Sequence, residues 1–197
     1  MSLRRLITGS FVALPLALGL VACGSDSDAT TDSLAGGEAS AVELNDADIE
    51  FAQGMIAHHE QAIEMSEIAL DPNRGASEAV TDLARRIQSA QEPEVEQMTA
   101  VLVAAGESIT MDMSYGHDMS AMPGMMSADE MDELAAATGA DFDRMWLEMM
   151  IAHHEGAFSQ SEDVVADGSN AEVIALAQQI ITAQQGEIDE MRALLGG

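Results

Sequence analysis

Two stretches of this chain repeat one another, and that repeat constrains the fold more than any other feature of the sequence. DADIEFAQGMIAHHEQAIEMSEIA aligns with GADFDRMWLEMMIAHHEGAFSQSEDVV, which sets Phe51 over Trp146, Met55 over Met150 and His58 over His153. Further on, IQSAQEPEVEQMTAVL aligns with IITAQQGEIDEMRALL, with Gln91 over Gln184, Glu94 over Glu187 and Met98 over Met191. Each half thus holds two segments joined by a short turn, DPNRGAS in the first and ADGSN in the second.

Apolar residues recur at helical spacing in all four segments. In the first, Ala52, Met55, Ile56, Ala62, Ile63, Ala69 and Leu70 make one stripe with His59 in its middle. The third repeats it with Leu147, Met150, Ile151, His154, Ala157, Phe158 and Val165. Ser77 and Asn170 read as N-caps of the second and fourth segments. No alternating β-branched run competes. A helical hairpin with one apolar face must cover it, so two such hairpins predict an all-α four-helix bundle. Pro93 and Gly186 fall at one repeat position inside the second and fourth helices, where each weakens the helix. Either both halves need a bend or close approach there, or both positions lie near the surface and are tolerated.

The segments outside the repeat divide the chain further. Residues 1–22 carry two arginines, a short apolar run broken by Pro15 and a small-residue end, the layout of a secretory signal. Leu20-Val21-Ala22-Cys23 resembles a bacterial lipobox, which implies a lipid-modified Cys23 at the outer face of the plasma membrane. Residues 23–44 then read as a flexible tether, and 45–197 as one domain with repeats at 45–104 and 140–197 around a 105–139 linker. Cys23 is the only cysteine, so a metal site in the domain draws on His, Met, carboxylate or backbone donors. Without Arg4 and Arg5 the mature chain has five basic residues against 35 acidic ones, 5 − 35 = −30. Such a surface repels nucleic acid and attracts cations.

Four of the five histidines lie in the two MIAHHE copies. Neighbours on a helix are 100° apart, so His58 and His59 are expected to flank the edge of the apolar stripe rather than both point into the core. Met55 precedes them by three and four residues, spacings that bring side chains together on one face; Met149 and Met150 stand in the same relation to His153 and His154. A structural reading stays open, in which His59 and His154 are core histidines hydrogen-bonded to Gln91, Glu94, Gln184 or Glu187. In the metal reading, Met55, His58, His59, Met149, Met150, His153 and His154 are ligands, with Gln91, Glu94, Met98, Gln184, Glu187 and Met191 in support. Di-iron bundles place glutamate three residues before histidine, whereas this chain places Met55 and Met150 there. Thioether with imidazole favours copper, Cu(I) above all; zinc and iron follow.

The linker adds MDMSYGHDMSAMPGMMSADEM, with methionines at 111, 113, 119, 122, 125, 126 and 131 and the fifth histidine, His117. Interleaved with Gly, Ser, Asp and Pro, Met111, Met113, Met119, Met122, Met125 and Met126 have little packing use in a loop, and with His117 they offer soft donors that need no deprotonation. Packing against the bundle mouth and sacrificial oxidation to sulfoxide are the alternatives. SADE, from Ser127, reads as a capping box opening a short helix that ends near Gly139.

FAQGMIAHHEQAIEMSEIA and MWLEMMIAHHEGAFSQSE, each followed by a Q-x-x-E-[VI]-x-x-M helix, resemble the bacterial family known as domain of unknown function 305. The resemblance covers nearly all of 45–195. It implies a ferritin-like four-helix bundle and a copper role for Met55, His58, His59, Met150, His153 and His154, with the linker contributing. One departure makes the halves unequal: Gln160 stands where the first copy has Met65. The expected protein is a lipid-anchored envelope protein that buffers copper or passes it to copper-handling partners. Two rivals remain: a ferritin-like oxidase completed by Glu60, Glu94, Glu155 and Glu187, and a metal-free interaction module.

Overall fold

The computed structural model describes residues 42–111 and 122–196. All of its regular structure among these is helical. Helix α1 spans Asp46–Leu70, a 3-10 turn follows at Pro72–Arg74, and α2 spans Glu78–Ala105. After the linker come a short α3 (Ala128–Ala136), α4 (Gly139–Asp167) and α5 (Ala171–Gly196). None of these helices is long and apolar enough to cross a membrane. Cys23, the signal segment, Met113, His117 and Met119 lie outside the described residues.

The expected caps are in place. Ser77 accepts from the Val80 amide at the start of α2, and Asn170 accepts from Glu172 and Val173 at the start of α5. Ser127 and Glu130 form the capping box of α3. A further pair of caps crosses between the repeats. Fully buried Asp48 on α1 accepts from the Ser169 hydroxyl at 2.8 Å and from the Ser169 and Asn170 amides at the head of α5. Its repeat equivalent on α4, Asp143, accepts from the Ser77 amide at the head of α2 at 3.0 Å. Each hairpin's first helix therefore anchors the other hairpin's second helix, where a carboxylate also meets the positive end of the helix dipole.

α1 and α4 pack together at the centre, with α2 against α1 and α5 against α4. The core divides into two apolar clusters. One joins the N-terminal half of α1 (Phe51, Met55) to the C-terminal half of α2 (Met98, Leu102) and the α4–α5 turn region (Val164, Leu176). The other joins the far half of α1 (Met65, Ala69) to Leu83 and Ile87, Trp146 and Met150, and Met191. Helix directions follow: α2 ends at the first cluster's end of the bundle and α4 begins at the other. The described residues from Met122 onward run along α1, from Gly54 past Gln61, and Leu134 of α3 is buried in the second cluster. Trp146 donates its indole N–H to the Met65 carbonyl at 3.0 Å, locking α4 to α1.

Pro93 and Gly186 sit on the outer faces of unbroken helices, and a β-carbon built at Gly186 meets nothing within 4 Å. Tolerance at the surface, rather than a required close approach, accounts for both. At the other boundary, Val42 and Leu44 pack against the first cluster, and the Glu43 carbonyl accepts from Asn170.

Candidate metal centre

Between the two apolar clusters lies a polar layer of six buried side chains: His58, His59, Gln91, His153, His154 and Gln184. All four histidines are fully buried, so the expectation that they flank the edge of the stripe is corrected. α1 has neighbours on two sides, and a 100° separation points His58 at α4 while His59 points at α2. The same holds for His153 and His154 on α4.

His58 and His153 meet in the middle, with ring centroids 3.7 Å apart and planes at 41°. These are equivalent residues of the repeat. Contact between equivalents places them on the pseudo-twofold axis, which runs across the bundle through this layer. Met55, in one apolar cluster, and Met150, in the other, are both fully buried one helical turn from the pair. His59 donates from Nε2 to Glu94 Oε2 at 2.8 Å, and His154 to Glu187 Oε2 at 2.8 Å. The hydrogen-bonding part of the structural reading is thus correct for His59 and His154, with glutamate and not glutamine as the partner.

The remaining hydrogen bond in the layer comes from the linker. His58 Nε2 lies 3.3 Å from the Pro123 carbonyl, which can only accept. In three of the four rings Nε2 is therefore committed, to a carboxylate or to a carbonyl, while Nδ1 is buried without a partner among the described residues. Among the described residues His153 has neither nitrogen paired, and the amides of Gln91 and Gln184 are likewise unpaired. Buried polar atoms without partners are rare and call for a cause. An imidazole whose other nitrogen donates to a carboxylate or carbonyl is the arrangement seen in metal-binding histidines, because that bond fixes tautomer and ring orientation.

Electrostatics keep the central pair neutral. Burial pushes the His58 imidazole down from 6.5 to about 3, with repulsion from His59 and His154 adding to it and the Pro123 carbonyl opposing. Burial likewise holds His153 well below 6.5, reinforced by His58, His154 and His59 and opposed by the His58 backbone carbonyl. Neutral imidazole is the form that binds metal.

Among the described residues, no three His, Asp or Glu side chains converge as a ready metal cluster. The donor set fits a soft ion that takes few nitrogen ligands and accepts thioether, and it does not fit a carboxylate-bridged metal pair. Glu60 is exposed, and Glu155 is turned outward to accept from Arg192 at 2.6 Å. Each lies another 100° around its helix from the histidine before it, so two of the four carboxylates of the oxidase reading, Glu60 and Glu155, are outside the layer, while Glu94 and Glu187 reach His59 and His154.

The described ends of the methionine-rich linker come together beside the layer. A β-carbon built on Gly54, one turn before His58, would lie 3.2 Å from Met122 Cε and 4.0 Å from Met111 Sδ. Met126 and Met149 pack against the second apolar cluster. Met98 and Met191 are core residues as well.

Sequence reasoning missed Gln61 and Gly156, which occupy the same repeat position. Gln61 grips the Met126 backbone twice, donating to its carbonyl at 2.9 Å and accepting from its amide at 2.7 Å. Gly156 lets Pro123 and Gly124 lie directly on α4: a β-carbon there would overlap the Pro123 carbonyl. Gly124 itself has φ +80°, and a β-carbon on it would meet the Ala152 and His153 carbonyls at 2.8 Å. The mismatch of Gln against Gly immediately after the matched MIAHHE stretches was the available signal.

A four-helix bundle with a duplicated buried histidine layer and a crossover linker is the class that this fold and site define. The chain belongs to the family described as a domain of unknown function, DUF305, which matches residues 48–195. A family member from Deinococcus radiodurans is 32% identical, with a TM-score of 0.69 over 78% of this chain and 97% of its own. One from Streptomyces coelicolor is 29% identical, with a TM-score of 0.68 over 76% and 92%. CopM in its Cu(II)-bound form is 31% identical, with a TM-score of 0.61 over 75% and 94%; it is also known in Cu(I)-bound and Ag-bound forms. No curated protein matches the chain.

Proposed function

We propose that this protein binds copper in the cell envelope, tethered by a lipid on Cys23, and buffers the ion or hands it on without transforming a substrate. The observation that carries the reading is the set of buried Nδ1 atoms in His58, His59, His153 and His154, without a partner among the described residues, three of them with Nε2 held by a fixed acceptor. The likeness to CopM, with its Cu(II)-bound, Cu(I)-bound and Ag-bound structures, supports copper over zinc or iron. Copper is cargo here, held by imidazoles of the central layer and by thioethers at its border: Met55, Met150 and the linker's Met111 and Met122. Soft donors hold Cu(I), and the surplus of 35 acidic over seven basic residues favours arrival of cations at the surface.

Competition between the protein and a Cu(I) chelator of micromolar affinity tests this. The wild type is expected to take the metal from the chelator, and His58→Ala/His153→Ala to lose at least tenfold in affinity. Copper left wholly with the chelator by the wild type overturns the reading. The anchor is tested separately, by whether Cys23→Ala moves the protein from the membrane fraction to the soluble fraction.

A further inference from the structure

The Pro123–Met126 segment crosses the histidine layer on its outer side, its side-chain hydrogen bonds running to α1, its backbone seated on α4 and its Met126 side chain packed on the second apolar cluster. Its far end is fixed by the two Gln61 hydrogen bonds to Met126. Its near end is seated on α4, where Gly124 adopts φ +80° against the Ala152 and His153 carbonyls, and Gly156 leaves room for Pro123. Pro123 is exposed on the side away from the layer, while its carbonyl reaches His58 Nε2.

We propose that this segment is a strap closing the His58–His153 pair from solvent, that Gln61 is its latch, and that the strap makes Nδ1 the ligand atom of His58. The last point follows from hydrogen-bond chemistry. A carbonyl accepts and never donates, so the ring proton of His58 sits on Nε2, and the lone pair is left on Nδ1. The latch is a side chain and not part of a helix or sheet. Breaking its two bonds therefore loosens the Met126 end of the strap without unfolding an element. The ligand-atom assignment rests on the copper reading, whereas the lid and latch stand without it.

Metal-free protein treated with diethyl pyrocarbonate, with each histidine followed by peptide mass spectrometry, tests the lid. In the wild type all four buried histidines are expected to react slowly. In Gln61→Leu, His58 and His153 are expected to react at least tenfold faster, with His59 and His154 unchanged behind Glu94 and Glu187. Equal acceleration at all four would mean general loosening and overturns the lid, as does no acceleration at His58 and His153. Gln61→Glu, which keeps the acceptor for the Met126 amide and loses the donor, is expected to fall between and serves if the leucine variant fails to fold. Nitrogen-15 NMR of wild-type His58 is expected to show the Nε2–H tautomer; an Nδ1–H tautomer overturns the ligand-atom assignment. In Cu(I) transfer to a chelator, Gln61→Leu should release metal at least tenfold faster. A wild type that binds no copper but shows the labelling pattern defeats the copper reading and leaves the lid intact.

Discussion

Acidifying the metal-free protein from pH 7.5 to pH 5.0 should destabilise it, and the central histidines set the size of the effect. His58 titrates at about 3 in the folded chain against 6.5 unfolded. A depressed histidine is neutral when folded, so below pH 6.5 the unfolded chain binds the extra proton and stability falls with falling pH. At pH 5.0 the unfolded imidazole lies 1.5 units below its own value of 6.5, and at about 1.4 kcal/mol per unit His58 alone removes ~2 kcal/mol. His153 acts in the same direction. The groups facing the pair are His59, His154 and the Pro123 carbonyl, with Glu94 and Glu187 one bond behind; the pH window stays above the ordinary carboxylate range. With a urea m-value of about 2 kcal/mol/M, the midpoint should drop by about 1 M or more. Urea unfolding followed by circular dichroism at the two pH values measures this. A midpoint that holds or rises, or an equal drop in His58→Gln/His153→Gln, would refute the argument that burial of this pair governs the response.

Four further outcomes follow from the local geometry. Gly156→Ala puts a β-carbon onto the Pro123 oxygen, so it should cost about 1–3 kcal/mol in chemical unfolding, as overpacking does. Asp48→Ala removes the buried acceptor of the Ser169 hydroxyl and the α5 amides and should cost about 2–3 kcal/mol. Asp143→Ala, whose Ser77 contact is exposed, should cost ~1 kcal/mol or less. Gly186→Ala, mid-helix with open space around it, should raise stability by about 0.5–1 kcal/mol, read as a higher melting temperature.

The hairpins and the caps at Ser77, Asn170 and Ser127 were legible because each depends on spacing along one helix or across one short turn, whereas the partners of His59 and His154 were narrowed only to the glutamines and glutamates of the neighbouring helices. The meeting of His58 with His153 was not, because it depends on how α1 crosses α4, and periodicity within a helix says nothing of that crossing. Asp48 and Asp143 escaped notice for a related reason. They sit at helix starts, where an acid suits its own helix, and their partners are a whole repeat away in sequence. The linker was read by composition as a set of donors. Its described part instead divides by residue: Met126 packs on the core, Met111 and Met122 gather over Gly54, and Pro123 contributes a carbonyl and no side-chain donor.

X-ray absorption at the copper edge, on protein loaded with one equivalent of Cu(I), tests the central claim most directly. The account predicts a first shell containing both sulfur and nitrogen, with the outer-shell pattern of imidazole. That pattern should disappear in His58→Ala/His153→Ala while sulfur remains. A wild-type spectrum with sulfur and no imidazole, or with oxygen in place of sulfur, would contradict the buried histidine layer as the place where copper is held.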